Sequence, residues 1–315
     1  MILTIAAAAM LLIELAMGQQ LQSLTGYADY SYYFYNIEPS GIFGLSSTFQ
    51  SEGGYMRFGS FFTNPLEHAE ATLIALAVIM GLYTRDDNKF NINGVGLIAL
   101  FASMLSITFA FSRAPLASYL LMIYIYALIT NKKIITQSVH AAIGAGGLYL
   151  FYLLSQFENK TNGIMEVIMH TIDFSNPSSI GHIEQWVEGI IAIGEHPLGL
   201  GLGSSGWAAA GDNVGGENQF IIIGVQMGII AIILYASTLI LFIKTGLKWL
   251  RILKGRERKI CITALFIKIG IFIPLLTSEV EGASYISYMN WFLSGLLINI
   301  IMHAGLKQHH PENVD

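Results

Sequence analysis

Two arginines stand just before apolar segments, where a positive charge could hold an anion. Arg113 follows Ser112, a residue type that often caps helices, and Pro115 fits the first turn of the next helix. A helix start carries unpaired N–H groups and a partial positive charge, so an arginine there can bind phosphate. The alternative is an interfacial arginine that extends to lipid headgroups.

Arg57 precedes a similar arrangement of capping residues. Asn64 can cap a helix, Pro65 fits its first position, and Glu67 fits its third. Glu67 and His68 then enter the top of an apolar segment, a depth at which polar groups are often functional. A capping box would explain Glu67 without any ligand, so both interpretations stay open.

A glycine-rich segment runs from Glu195 to Gly206 and includes His196. It contains the pattern G-x-G-x-G at Gly199, Gly201 and Gly203, but no strand of a βαβ unit precedes it. Nucleotide binding is therefore disfavoured. We expect a tight turn whose backbone N–H groups line a sugar or phosphate cleft.

Glu217 lies at the mouth of the apolar segment that begins at Gln219. A carboxylate there could act as a general base on a sugar hydroxyl. It could equally be a helix-start carboxylate that stabilises the helix dipole. The residues alone do not decide between these two roles.

The segments that must position these residues have the composition of an integral membrane protein. Of 315 residues, 54% are hydrophobic and 12% are charged, and the mean hydropathy is +0.58. Apolar runs approach the roughly 20 residues needed to cross a bilayer. The sequence predicts an all-α fold with about eight transmembrane helices: Met1–Met17, Leu66–Tyr83, Gly94–Phe111, Pro115–Thr130, Ile134–Leu154, Gln219–Ile243, Ile260–Thr277 and Ile286–Met302.

These spans divide the chain into three parts. Residues 1–154 hold five spans and an external loop at 18–64, residues 155–218 form one large external loop, and residues 219–315 hold three spans with a basic loop and a tail. Alternation of sides places 12 of the 16 Lys and Arg on one side, which is then cytoplasmic. Only Arg57, Arg113 and Lys160 fall on the other side.

Other patterns narrow the classes of function. The basic cluster from Lys244 to Lys259 lies between two apolar runs, which favours a cytoplasmic loop over nucleic-acid binding. Cys261 is the one cysteine, so no intrachain disulfide forms, and no Cys/His metal spacing is present. In the large loop, apolar residues at helical spacing beside Trp186 predict a helix, either on the membrane surface or packed inside the loop.

Taken together, the motifs resemble a known family. They are Arg57-Phe58-Gly59-Ser60-Phe61, Asn64-Pro65, Ser112-Arg113, His182 with Trp186, His196-Pro197-Leu198-Gly199-Leu200-Gly201-Leu202-Gly203, and Glu217-Asn218-Gln219 with Gly228. In this order the set resembles the O-antigen ligase and polymerase superfamily, and most closely the Wzy-type O-antigen or capsule polymerases. The resemblance extends from about Arg57 to Gly228.

The resemblance implies a GT-C-like, metal-independent glycosyltransferase without a cofactor in the bacterial inner membrane. Such enzymes act on glycans carried by undecaprenyl pyrophosphate at the outer face, in a pathway with a flippase and a chain-length regulator. Arg113, Arg57 and Glu217 are then the expected catalytic residues, with His182 or His196 as rival bases. His182, His196, Gly199, Gly201, Gly203 and Asn218 are the expected substrate-binding residues.

Two departures from the family shape the choice among alternatives. Its members usually have more spans, which suggests that an N-terminal portion is missing here. Its ligases carry a histidine where this chain has Glu217, which favours a polymerase over a ligase that transfers glycan to lipid A core or to a protein. A transporter should show buried charges in several spans, and only Glu14 and Lys268 stand out.

Overall fold

The computed structural model describes residues 1–35, 42–50, 55–155, 177–206, 209 and 214–309. These residues form helices and connecting turns and contain no β-strand, which confirms the all-α class. The helices of this part of the chain are α1 (Ile2–Met17), α2 (Leu21–Leu24), α3 (Tyr27–Tyr35), α4 (Pro65–Tyr83), α5 (Gly94–Phe109), α6 (Arg113–Ile129), α7 (Lys133–Ser155), α8 (Pro177–Glu195), α9 (Gln219–Met227), α10 (Ile229–Trp249), α11 (Gly255–Ile271) and α12 (Ser284–His309).

Within the described residues, four helices are long and apolar enough to cross a membrane. They are Pro65–Tyr83, Ile229–Trp249, Gly255–Leu276 and Ser284–Leu306. The shorter apolar helices α1, α5 and α6 stand where further spans are predicted, and α7 occupies the predicted fifth span. The chain is therefore a helical membrane protein, and each predicted span coincides with helical structure.

The centre of the bundle is α11, which is buried along most of its length and contacts α4, α6, α10 and α12. From Cys261 to Ile271 every residue is buried, and most are apolar, as expected for a helix surrounded by other helices. Gly81 of α4 allows the closest approach, because a Cβ there would lie 2.6 Å from the Lys259 carbonyl oxygen.

One end of the bundle carries the basic residues. The guanidinium of Arg258 donates to the carbonyl of Arg85 (2.5 Å) and to the side chain of Asn88. The carboxylate of Asp86 accepts a hydrogen bond from the N–H of Gly255 (2.9 Å). The segments around Arg85 and Arg258 therefore share one end, which we call the basic end.

The basic segment is mostly helical, although the sequence predicts a loop there. Lys244 and Lys248 lie in α10, which continues to Trp249, and α11 begins at Gly255. Only the short turn at 250–254 separates the two helices. Long Lys and Arg side chains can extend from helix ends to the interface, so a helical apolar segment need not stop at the first cation.

The predicted sixth span, Gln219–Ile243, is wrong as one continuous helix. The chain breaks at Gly228, whose φ of 84° lies outside the helical region, and then reverses direction. The rings of Phe220 and Tyr235 lie 5.6 Å apart, although a continuous helix would separate these residues by roughly 20 Å. Helices α9 and α10 therefore form an antiparallel hairpin.

Candidate functional site

The start of α9 brings two predicted site residues together. Nδ1 of His182, in the second turn of α8, lies 2.6 Å from Oε2 of Glu217. The imidazole side chain is 27% exposed and the carboxylate 48% exposed, so water or a substrate can reach both. A carboxylate beside an imidazole orients the ring and stabilises its protonated form, which is how a general base is built.

The packing of α8 on α9 creates this contact. A Cβ at Gly189 would lie 2.1 Å from Cγ2 of Ile221, and one at Gly224 would lie 2.5 Å from Cδ1 of Ile193. The two helices thus run side by side in the same direction. This alignment puts His182, at the beginning of α8, level with Glu217, just before α9.

Asn218 fixes the start of α9. Its Oδ1 accepts hydrogen bonds from the N–H groups of Phe220 (3.0 Å) and Ile221 (3.3 Å), which makes it the helix cap. Its Nδ2 donates to the carbonyl of Leu276 (3.1 Å). Both the oxygen and the nitrogen of this predicted substrate-binding side chain therefore have structural partners. Asn218 thereby holds the neighbouring Glu217 near Leu276, just beyond the end of α11.

Arg57 contacts the turn between α5 and α6 that precedes Arg113. Nε of Arg57 donates to the carbonyl of Ala110 (3.1 Å), three residues before Arg113. The ring of Tyr55 stacks on Phe111 at 6.0 Å, and the N–H of Phe58 donates to the carbonyl of Phe109. The segment from Tyr55 to Phe58 thus follows this turn and brings Arg57 to the residues that precede Arg113.

Of the two helix starts that follow the arginines, the start of α4 has the predicted side-chain cap and the start of α6 does not. Asn64 caps α4 by accepting from the N–H groups of Leu66 and Glu67, and Oε2 of Glu67 accepts from the N–H of Thr63 (3.3 Å). Ser112 occupies the cap position of α6, but its side chain makes no capping hydrogen bond. The helix start beside Arg113 is therefore without a side-chain cap.

The arginines and the His182–Glu217 contact belong to the same end of the bundle, opposite the basic end. Gly270 of α11 packs against Met122 of α6, and the two helices run antiparallel, so Leu276 lies near the first turns of α6. Leu276 is the residue that holds Asn218. We call this the polar end.

The glycine-rich segment has a structural role that the sequence interpretation did not foresee. The N–H groups of Leu200 and Gly201 donate to the carbonyls of Val225 (2.7 Å) and Gln226 (3.0 Å), the last carbonyls of α9. The N–H of Ile229 donates in turn to the carbonyl of Pro197 (3.0 Å). The segment thus satisfies the backbone groups that the break at Gly228 releases.

These hydrogen bonds occupy two of the N–H groups that the sequence analysis expected to line a sugar or phosphate cleft. A Cβ at Gly199 would lie 2.5 Å from the Gln226 oxygen, so the glycine is needed for close backbone contact. His196 follows the far end of α8, roughly 20 Å along the helix from His182. The structure therefore separates His196, Gly199 and Gly201 from Glu217, and Gly203 follows in the same turn region.

A second polar cluster surrounds Glu281, which the sequence analysis missed as a site residue. Its carboxylate accepts hydrogen bonds from Tyr235 (2.9 Å), Ser287 (2.6 Å), Asn290 (3.4 Å) and Trp291 (2.9 Å). Its N–H donates to Oε1 of Gln219 (3.0 Å), two residues after Glu217. The cluster therefore ties the start of α9 to α10 and α12.

The two charges noted within spans have separate surroundings. Glu14 accepts from the N–H groups of Leu21 (2.8 Å) and Ser60 (2.9 Å) and thereby holds the segment before α4 against α1. Lys268 is buried, and its Nζ lies 3.6 Å from the centre of the Trp291 ring. Lys268 thus belongs to the Glu281 cluster through a cation–π contact.

Residue Lys160, predicted on the external side, lies outside the described residues, as do positions 156–176 of the large loop. Among the described residues, no group of three or more His, Cys, Asp or Glu is arranged to hold a metal ion. No protein-family model matches the chain, and no curated protein matches it significantly. The proposed function therefore rests on the residues of this chain and their contacts.

Proposed function

We propose that this protein is a glycosyltransferase that joins oligosaccharide repeat units carried on undecaprenyl pyrophosphate into O-antigen or capsular polysaccharide. The reaction takes place at the outer face of the bacterial plasma membrane. The observation that carries the proposal is the 2.6 Å contact between Nδ1 of His182 and Oε2 of Glu217. It supplies a proton acceptor at the polar end of a helical membrane bundle.

The His182–Glu217 pair takes the proton from a hydroxyl of the sugar that receives the glycan. A hydroxyl oxygen of one lipid-linked unit forms a bond to the anomeric carbon of the glycan on another. The bond from that carbon to the pyrophosphate oxygen breaks, and undecaprenyl pyrophosphate leaves with the electron pair. The hydroxyl proton passes to the His182–Glu217 pair, where the carboxylate stabilises the resulting imidazolium.

The leaving group determines the role of the arginines. Negative charge grows on the bridging oxygen as the bond to the pyrophosphate breaks, and a fixed cation nearby lowers the barrier. Arg113 at the uncapped start of α6, with Arg57 on the same turn, is assigned this role. A guanidinium suits a phosphate because it presents several N–H donors in one plane.

The membrane architecture suits a substrate that stays in the bilayer. In this proposal α1, α5, α6 and α7 also span the membrane, which gives eight spans in a GT-C-like arrangement with the basic end in the cytoplasm. The polar end then lies on the external side of the bundle, the side on which the pyrophosphate of a polyprenyl carrier lies. We expect no nucleic acid to bind at such a site.

Deletion of the gene tests the proposal through the cell's own polysaccharide. Loss of long chains, with core plus a single repeat unit retained on a gel, is the result expected for a polymerase. Loss of all glycan from the core, with long lipid-linked chains accumulating, would instead assign a ligase. An unchanged ladder would reject both and return the transporter alternative to consideration.

A further inference from the structure

Helix α8 has three distinct faces. Gly189 and Ile193 lie on the face that packs against α9. A second face carries exposed apolar side chains at helical spacing, which are Ile183, Val187, Ile190 and Ile191. A third face carries the exposed carboxylates Glu184, Glu188 and Glu195. The second face is an apolar stripe that no described residue covers.

The glycine-rich turn that follows α8 carries further exposed apolar side chains. Leu198 and Leu202 are 83% and 81% exposed, and Leu200 is exposed as well. The backbone between them is held by the hydrogen bonds from Leu200 and Gly201 to the end of α9. The three leucines and the apolar stripe of α8 together form what we call the apolar ridge.

The depth of the apolar ridge follows from α10. This helix has 21 residues, and at 1.5 Å per residue it spans roughly 31 Å, about the thickness of a hydrocarbon core. Helix α9 folds back along its outer part, from Ile229 to Tyr235, and α8 lies beside α9. The apolar ridge is therefore level with the outermost residues of a membrane-spanning helix.

Those neighbouring residues of α10 are themselves exposed and apolar. Ile229, Ile230, Ile233 and Leu234 all face outward in the structure. If α10 crosses the bilayer, they contact acyl chains, and the hydrogen bond from Ile229 to Pro197 places the start of the glycine-rich turn beside them. Backbone outside helices is tolerated at this depth where its polar groups are satisfied, as they are here.

We propose that the apolar ridge is seated among the acyl chains of the leaflet opposite the basic end, with the Glu184, Glu188 and Glu195 face turned to water. The partner of this surface is lipid. The reason is that the ridge adjoins the exposed apolar outer end of α10 at Pro197, and that charged side chains border it on one side. This inference does not depend on the proposed glycosyl transfer.

Fluorescence quenching by lipids tests the inference in the full chain. Cys261, the one cysteine, is buried, so a Cys261→Ala background allows a single reporter to be attached elsewhere. Ile190→Cys and Leu202→Cys report on the ridge, and Glu188→Cys on the same helix is the matched control. Each labelled protein is placed in phosphatidylcholine vesicles with and without brominated acyl chains.

We expect quenching by brominated chains to be several-fold stronger at positions 190 and 202 than at position 188, with aqueous iodide giving the reverse order. Equal quenching by iodide at all three positions would place the ridge in water and overturn the inference. Disulfide cross-linking between copies at position 190 or 202 would assign the ridge to a second copy. A cysteine that resists labelling would mean that the chain itself covers it.

Discussion

Nδ1 of His182 lies 2.6 Å from Oε2 of Glu217, and this contact joins a helix inside the 155–218 region to the first residues of α9. Glu217 alone would be a carboxylate at a helix start, with no distinctive chemistry. Beside an imidazole, a carboxylate can act together with the ring as one proton acceptor. The structure brings into contact the two residues that the sequence offered as rival bases.

Arg113→Ala should abolish long polysaccharide while leaving the single-unit product. Loss of one group that stabilises charge in a transition state lowers turnover by roughly 10²–10³-fold. The measurement is the chain-length ladder of a complemented deletion strain. Arg256→Ala is the control, because that arginine is exposed at the basic end. Long chains in the Arg113→Ala strain would remove the arginine from the mechanism.

Gly228→Ala and Gly199→Ala should both destabilise the α9–α10 hairpin. A Cβ at Gly228 would lie 2.3 Å from the Pro197 oxygen, and both glycines have positive φ, so backbone strain alone costs about 1–3 kcal/mol. Gly194→Ala is the control, since nothing lies within 4 Å of its Cβ position. The midpoint of thermal unfolding in detergent should fall for the first two variants only. An unchanged midpoint for Gly228→Ala would contradict the hairpin packing.

Glu281→Ala should destabilise the bundle more than Glu281→Gln. The alanine leaves the donors of half-buried Tyr235 and buried Asn290 without this acceptor, at about 1–3 kcal/mol for a buried group. Glutamine retains one acceptor oxygen and much of the shape. Thermal unfolding of the two purified variants makes the comparison. Equal stability would mean that the carboxylate does not hold the cluster together.

Arg258→Ala should destabilise the basic end, whereas Arg256→Ala should have little effect. Arg258 is buried and donates to the carbonyls of Arg85 and Leu250, so its removal leaves the buried Leu250 acceptor unpaired, at about 1–3 kcal/mol. Arg256 is exposed in the same helical turn. Limited proteolysis at the turn from Arg85 to Asn88 reports local opening. Similar cleavage of both variants would show that Arg258 is no more structural than its neighbour.

Sequence reasoning located the helices because apolar run length and capping residues are local properties of the chain. Asn64 and Pro65 predict the start of α4, and the structure begins the helix at Pro65. The break at Gly228 was missed, because a single glycine inside a long apolar run is compatible with a continuous helix. Only the partner backbone, from Pro197 to Gly201, shows why the chain can reverse there.

The sequence offered the candidate site residues but did not predict which of them lie close together. His182 and Glu217 are far apart in sequence, and no local pattern indicates that α8 and α9 align them. The same limit applies to Glu281, which reaches Gln219 across 62 positions. The glycine-rich segment also has a role that its pattern does not predict: the N–H groups of Leu200 and Gly201 donate to the end of α9, and ligand binding by this segment stays a prediction.

The most direct test of the central claim is the polysaccharide ladder of deletion strains that carry His182→Ala, Glu217→Gln or both. Because the two side chains act as one proton acceptor, each single variant should reduce the product to core plus one repeat unit. The double variant should be no worse than either, since residues of one unit are not additive. Glu195→Gln, an exposed carboxylate at the far end of α8, should keep the full ladder. Long chains made by both single variants would contradict the account.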